Sequence, residues 1–374
     1  MNSITTTGPH QHTDGGDRFP ISILTGFLGA GKTTVLNHLM KQPEFSRSLV
    51  IVNEFGEVAL DHDLMTHVDG DEVIEMSSGC ICCTFRADLA KTLREAPWRF
   101  SRNGETWFDR VIIETTGLAD PAPILHTLLS DLSVVSRYRL DGLITMVDAA
   151  NGMATLDRQI EALKQAAVAD RIVLTKSDLV DQRTLDLLQG RLQALNPAAV
   201  QLFSQHGVVD PASIGGAGLY HPETKSIDVQ NWLKEEAYAE VHGFRDLDDN
   251  RHDANINAVC LTMDKPVDEA SVDRWLEELH TLKAADLLRV KAIMNVKDAP
   301  GPFVVHGVQH VIHPIDALCA WPSKDRRSRI VFITRNISRA ELEATLRCFD
   351  SQDDLHTEEP NSPVLHPGEI VPVG

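Results

Sequence analysis

Basic residues are in short supply in this chain: 35 lysines and arginines stand against 54 aspartates and glutamates in 374 residues, a formal charge of −19. Such a surface repels phosphate backbones and anionic headgroups, which argues against nucleic acid or membrane as partners and favours cationic ligands or metals. Apolar runs long enough to span a bilayer are missing, and residues 1–18 lack the basic and apolar stretches of a secretory signal, so a cytoplasmic location is expected. Nor is there a disulfide framework. Of six cysteines, three crowd into residues 80–83 and three are scattered, which predicts reduced thiols and leaves one cluster to explain. Aromatics are few, yet a hydrophobic fraction of 43% in a chain of this length suffices for two packed cores.

What is present starts with Gly26-Phe27-Leu28-Gly29-Ala30-Gly31-Lys32-Thr33, which satisfies the phosphate-binding pattern G-x-x-x-x-G-K-[ST] at every fixed position. The apolar stretch Ile21-Ser22-Ile23-Leu24 precedes it and helix-spaced apolar residues follow from Val35 to Met40, the strand and helix that the pattern needs. Glycines let backbone N–H groups turn toward phosphates, the helix N-terminus adds its positive end, and Lys32 adds a full charge. Thr33 is placed to hold Mg²⁺, and Gly26, Gly29, Ala30, Gly31, Lys32, Thr33 and Thr34 form the expected nucleotide-binding set. A turn that merely joins a strand to a helix would not require Gly-Lys-Thr at its end.

From Phe19 onward short apolar strands alternate with helix-length segments: Leu49-Val50-Ile51-Val52, Val111-Ile112-Ile113, Leu143-Ile144-Thr145-Met146-Val147 and Ile172-Val173-Leu174. Near-continuous apolar runs suit strands buried on both faces of a mainly parallel sheet. The expected architecture is a doubly wound α/β P-loop NTPase domain over residues 19–238, an acidic linker over 239–254, and a smaller α+β C-terminal domain over 255–350, between mobile tails of residues 1–18 and 351–374. The second domain reads β-α-β-β-β-α, with its helices on one face of an antiparallel sheet.

Two motifs follow the P-loop in the order that a P-loop NTPase requires. The strand Val111-Ile112-Ile113 ends in Glu114-Thr115-Thr116-Gly117, where Glu114 would reach the Mg²⁺ shell or the attacking water; Lys32 and Glu114 are the expected catalytic pair. Thr175-Lys176-Ser177-Asp178 resembles the guanine-reading N-K-x-D motif with threonine in the first place. An aspartate at 178 can accept two hydrogen bonds from guanine that adenine cannot donate together, so Lys176 and Asp178 favour GTP over ATP.

Cys80, Cys82 and Cys83 put three thiols within four residues, between those phosphate motifs. Thiolates suit Zn²⁺, Co²⁺ or Cu⁺. The fourth ligand could be Glu57, His62 or a water; a redox dithiol or buried small hydrophobes are the competing readings, although packing does not ask for three in a row. Asn53 to Glu57 occupy the place of a nucleotide-sensing switch. His306 and His310 share one face of a predicted strand over residues 303–312 and read as structural.

Together, the P-loop, Asn53 to Glu57, Gly79-Cys80-Ile81-Cys82-Cys83, Glu114-Thr115-Thr116-Gly117 and Thr175-Lys176-Ser177-Asp178 resemble the CobW-type GTPases, the zinc-regulated metalloprotein activators, and the likeness runs from about residue 19 to residue 349. The long histidine-rich run of some members is absent. The resemblance implies GTP hydrolysis coupled to delivery of a metal, zinc or cobalt, to a client metalloprotein, with Cys80, Cys82 and Cys83 holding the metal and Glu57 near it. It leaves a homodimer open. The competing functions are a P-loop small-molecule kinase and a non-enzymatic zinc-sensing module.

Overall fold

The computed structural model describes residues 18–54, 72–77, 82–215, 256–281, 286–309, 311–312, 315–321 and 324–349. The expected tails and acidic linker, and with them Glu57, His62, Cys80 and His310, lie outside the described residues.

The first domain runs β1 Phe19–Gly26, α1 Lys32–Met40, β2 Ser48–Glu54, β3 Glu72–Ser77, α2 Cys82–Arg99, a small hairpin of β4 Ser101–Arg102 and β5 Glu105–Thr106, then β6 Arg110–Glu114, α3 Ala122–Ser130 and α4 Leu132–Val135. It continues with β7 Tyr138–Asp148, α5 Gly152–Arg158, α6 Ile160–Ala167, β8 Arg171–Thr175, α7 Gln182–Leu195, β9 Val200–Phe203 and α8 Pro211–Ile214. Seven strands form one sheet in the order β3-β2-β6-β1-β7-β8-β9, every neighbouring pair parallel. Apolar residues alternate between its faces. Ile21, Ile23, Val111, Ile113, Ile172 and Leu174 point into one core, while Leu24, Ile112 and Val173 point into the other, where α1 lays Val35, Leu36 and Leu39. A strand apolar on both faces can sit only between two helical layers, which explains the uninterrupted apolar runs. β1 lies between β6 and β7, so the chain order reverses about it, and crevices for ligands form at the carboxyl ends of strands at such a reversal.

The helical spacing around Leu156, Ile160 and Leu163 is divided between two helices, because Gln159 is extended (φ −122°, ψ 107°) between α5 and α6. Asn196 ends α7, and its buried side-chain amide donates to the carbonyls of Ala166, Ala167 and Ala169 at 2.9–3.0 Å, satisfying acceptors that the end of α6 leaves over.

The second domain comprises β10 Ile256–Met263, α9 Glu269–Thr281, β11 Leu287–Met294, β12 Phe303–Val308, β13 Val311–Ile312, β14 Asp316–Ala317, β15 Ser328–Arg335 and α10 Arg339–Thr345. Its antiparallel sheet has the order β10-β15-β11-β12-β13, with β14 also on β12. The strand expected over residues 303–312 is instead a hairpin, because Gln309 turns into the left-handed region (φ 53°) between β12 and β13. One face carries α9 and α10, through Trp275, Leu279 and Leu342 on Val290 and Phe332, as the sequence predicts. The other face is an interface with the first domain: Ile256, Ala258, Leu288, Val331 and Ile333 share a core with Leu163, Leu192 and Leu195. At the amino end of β8 the buried carboxylate of Asp170 meets Arg289 and, at 2.8 Å, Lys291 from β11, and accepts the Leu143 N–H at 3.0 Å. No helix of the described residues is long and apolar enough to cross a membrane.

Candidate functional site

The glycine loop leaves β1 where backbone crowding dictates the residue: a Cβ on Gly26 (φ 142°) would run into the Met146 carbonyl oxygen of β7. Gly31, also left-handed (φ 85°), is the N-cap of α1, and its carbonyl accepts the Val35 N–H at 3.0 Å. Lys32 Nζ folds back over the loop and donates to the carbonyls of Gly26 and Phe27 at 3.0 and 3.3 Å. Thr33 Oγ1 donates to Glu114 Oε1 at 2.8 Å, bridging the first turn of α1 and the carboxyl end of β6. Beyond Glu114, Thr115 donates to Thr25 Oγ1 at 2.8 Å, and Gly117 lies so close to the loop that a Cβ there would strike the backbone nitrogen of Leu28.

On the other flank, Thr175 Oγ1 donates to the Ala30 carbonyl at 2.7 Å, which ties the Thr-Lys-Ser-Asp stretch to the P-loop. Lys176 sits in the left-handed region (φ 55°) and pairs its ammonium with Asp148 at 2.8 Å. Burial alone would raise Asp148, but hydrogen bonds from Lys176, Asn151 and the Ala150 N–H prevail and hold its carboxyl below the usual range. Asp178 falls in the short 3₁₀ turn Ser177–Leu179, its carboxylate 3.8 Å from His206 Nδ1. Phe27, Leu28, Asp148, Asn151, Gln165 and Lys176 help to line a cavity of about 230 Å³ beside the P-loop.

Of the expected nucleotide residues, Gly29, Ala30 and Lys176 line this cavity, whereas Gly26, Gly31, Lys32, Thr33, Thr34 and Asp178 do not, and the structure brings three further groups to the region. Asp148 had a signal, an acid ending an apolar strand; Thr175 was noticed only as a departure from asparagine. The third, Ser204-Gln205-His206-Gly207, follows β9 and lies against the motif through Ser204 N–H to the Leu174 carbonyl at 2.9 Å.

A family model for the CobW/HypB/UreG nucleotide-binding domain matches residues 20–203, and one for the cobalamin synthesis protein cobW C-terminal domain matches residues 256–349. The zinc chaperone YjiA of Escherichia coli is 32% identical over 327 residues, which cover 87% of this chain and 96% of that protein. The chain belongs to the CobW family of P-loop GTPases. A crystal structure of Zn(II)-bound YjiA GTPase from E. coli matches with a TM-score of 0.62 at 29% identity, over 89% of this chain and 99% of that one. The zinc chaperone CobW of Pseudomonas aeruginosa is 28% identical over 366 residues, 88% of this chain and 91% of its own.

For this CobW-family chain, Thr33 and Glu114 supply a hydroxyl and a carboxylate 2.8 Å apart, hard oxygen donors of the kind that Mg²⁺ prefers. Of the cysteine cluster, Cys82 and Cys83 open α2, and Cys80 and Glu57 lie outside the described residues. No group of three or more histidine, cysteine or acidic residues suited to a metal occurs among the described residues.

Proposed function

We propose that this GTPase is a metallochaperone: it holds a transition metal, zinc first and cobalt as the alternative, at Cys80, Cys82 and Cys83 with Glu57 close by, and passes it to a client metalloprotein. The observation that carries this reading is topological. β3 runs parallel to β2 and ends at Ser77, at the carboxyl end of the sheet that bears the P-loop and Glu114, and α2 begins at Cys82, five positions later in the sequence. The names of the relatives, zinc chaperone and zinc-regulated GTPase metalloprotein activator, support the choice of metal.

In this reading Lys32 neutralises the β- and γ-phosphates of GTP and the loop N–H groups cradle them. Thr33 and Glu114 would hold Mg²⁺, which would supply positive charge to offset that on the phosphate oxygens; Glu114 would either bind the ion or orient the attacking water. Asp178 reads the guanine edge while Thr175 keeps its turn in register with the P-loop. Hydrolysis then loosens the cysteine stretch, and client ligands take the metal by exchange.

Chelator competition for Zn²⁺ with GTP, with GDP and without nucleotide tests the coupling. Zinc should bind more tightly with GTP, by roughly 5–150-fold for a linkage of about 1–3 kcal/mol, and zinc must raise GTP affinity by the same factor. Replacing Cys82 and Cys83 by serine should abolish tight zinc binding and leave GTP binding in metal-free buffer intact. Three equal zinc affinities would remove the chaperone mechanism.

A further inference from the structure

The loop from Glu114 into α3 is gripped from outside the P-loop. From α6, Gln165 Nε2 donates to the carbonyls of Gly117 and Ala119 at 3.3 and 2.9 Å, and Lys164 lies 3.6 Å from Asp120. Just before α3, Asp120 accepts the Ala122 N–H at 2.9 Å, and its second carboxylate oxygen accepts a hydrogen bond from Gln309 Nε2 at 3.1 Å. Gln309 belongs to the C-terminal domain. It sits at the β12–β13 turn, and β13 packs against α3. A glutamine in the left-handed region is held there against a steric cost, so the hairpin presents that side chain at some expense in backbone strain.

Two further polar groups lie at this loop. Gln165 Oε1 and Thr116 Oγ1 are buried and have no hydrogen-bond partner among the described residues. Gln165 thus holds Gly117 and Ala119, Gln309 holds Asp120 just beyond them, and Gly117 lies against Leu28 of the P-loop.

We propose that Gln309 is a positioning residue for GTP hydrolysis: through Asp120 it ties the C-terminal sheet to the loop carrying Glu114 and Gly117, so the C-terminal domain sets the hydrolysis rate. This rests on the GTPase activity of the family and not on the cysteine site. Anything that shifts the hairpin, a docked client included, would then reach the phosphate site through one hydrogen bond.

The test is steady-state GTP hydrolysis by the full chain, with GTP affinity measured in parallel, for Gln309→Ala, Gln309→Lys and Gln309→Glu, each also in an Asp120→Ser background; serine keeps an acceptor for the Ala122 N–H but is too short to reach the hairpin. Gln309→Ala should lower kcat by about 5-fold or more with KM unchanged, the scale of a typical coupling between sites. Gln309→Lys, which still donates to Asp120, should restore kcat, Gln309→Glu should not, and in the Asp120→Ser background Gln309→Ala should have no further effect. An unchanged kcat in Gln309→Ala, an equal loss in all three variants, or a loss undiminished in the Asp120→Ser background would overturn the link and leave the GTPase assignment standing. Absence of hydrolysis by the parent chain would overturn both.

Discussion

The two ends of β8, a strand of five residues, bind cations to carboxylates in opposite ways. At the amino end the side chains of Asp170, Arg289 and Lys291 are 4%, 11% and 8% exposed, and every charge is closed by another. At the carboxyl end, Asp148 is 12% exposed but its partner Lys176 is 37% exposed, beside the P-loop. A closed buried triad fixes where the second domain sits; a half-open pair leaves a cation that can still meet a ligand. The same strand is therefore an anchor at one end and part of a binding crevice at the other, and the difference is one of solvent access rather than of residue type.

The largest effect should come from opening the anchor. Asp170→Ala removes the carboxylate that both buried cations meet, and breaking a buried pair of this kind costs about 3–5 kcal/mol in comparable sites, to be read in urea unfolding of the full chain. Burial pushes the Asp170 carboxyl up, but Arg289 and Lys291 prevail and hold it well below the carboxylate range. The folded state therefore keeps this group ionised at a pH where the unfolded chain, with an aspartate pKa of about 3.9, takes up a proton. The triad's contribution is complete above that value and drains away as pH falls below it. Asp170→Asn should accordingly show a flatter loss of stability than the parent between about pH 5 and pH 3. Parallel slopes would mean that the triad is not the acid-sensitive contact.

A smaller effect is expected at the open end, on specificity and not on stability. Asp178→Asn exchanges an acceptor of two guanine N–H groups for an amide, which should cost GTP about 1.5–3 kcal/mol, the worth of hydrogen bonds to a charged group, and leave ATP almost untouched. Titrating both nucleotides into parent and variant measures it, and equal affinity of the parent for GTP and ATP would withdraw Asp178 as the base reader.

How far each end was legible in the sequence follows from the same contrast. The P-loop could be read because its glycines answer to local backbone demands, as Gly29 and Gly31 show at φ 70° and 85°. Lys176 and Asp178 could be read from their order after it. Arg289 and Lys291 could not: alternating with Val290 and Ala292, they look like the watered face of a strand, yet both are buried against a carboxylate 119 and 121 residues away. Pattern along one strand carries no record of what another domain brings to its far face. The hairpin at Gln309 was missed for a related reason, since an apolar run over residues 303–312 hides a turn that has neither glycine nor asparagine at its left-handed position.

The smallest expected effect sharpens the comparison most. Asp148→Asn keeps an oxygen for the Ala150 N–H, which the carboxylate now accepts at 2.8 Å, and replaces by a donating amide the oxygen that accepts from Lys176 at 2.8 Å and Asn151 at 2.9 Å. Because Lys176 is more than a third exposed, the pair should contribute less than about 1 kcal/mol to stability, and the variant should unfold close to the parent. GTP binding should weaken a few-fold, since Asp148 holds the ammonium beside the P-loop and its loss frees a flexible side chain that binding must order again. Salt separates this from a packing defect. A half-exposed pair is screened at an ionic strength of about 1 M, where the Debye length is about 3 Å, so parent and variant should converge in GTP affinity there. A gap that persists at high salt, or a loss of stability near that of Asp170→Ala, would make the two ends of β8 alike and the distinction between anchor and crevice wrong.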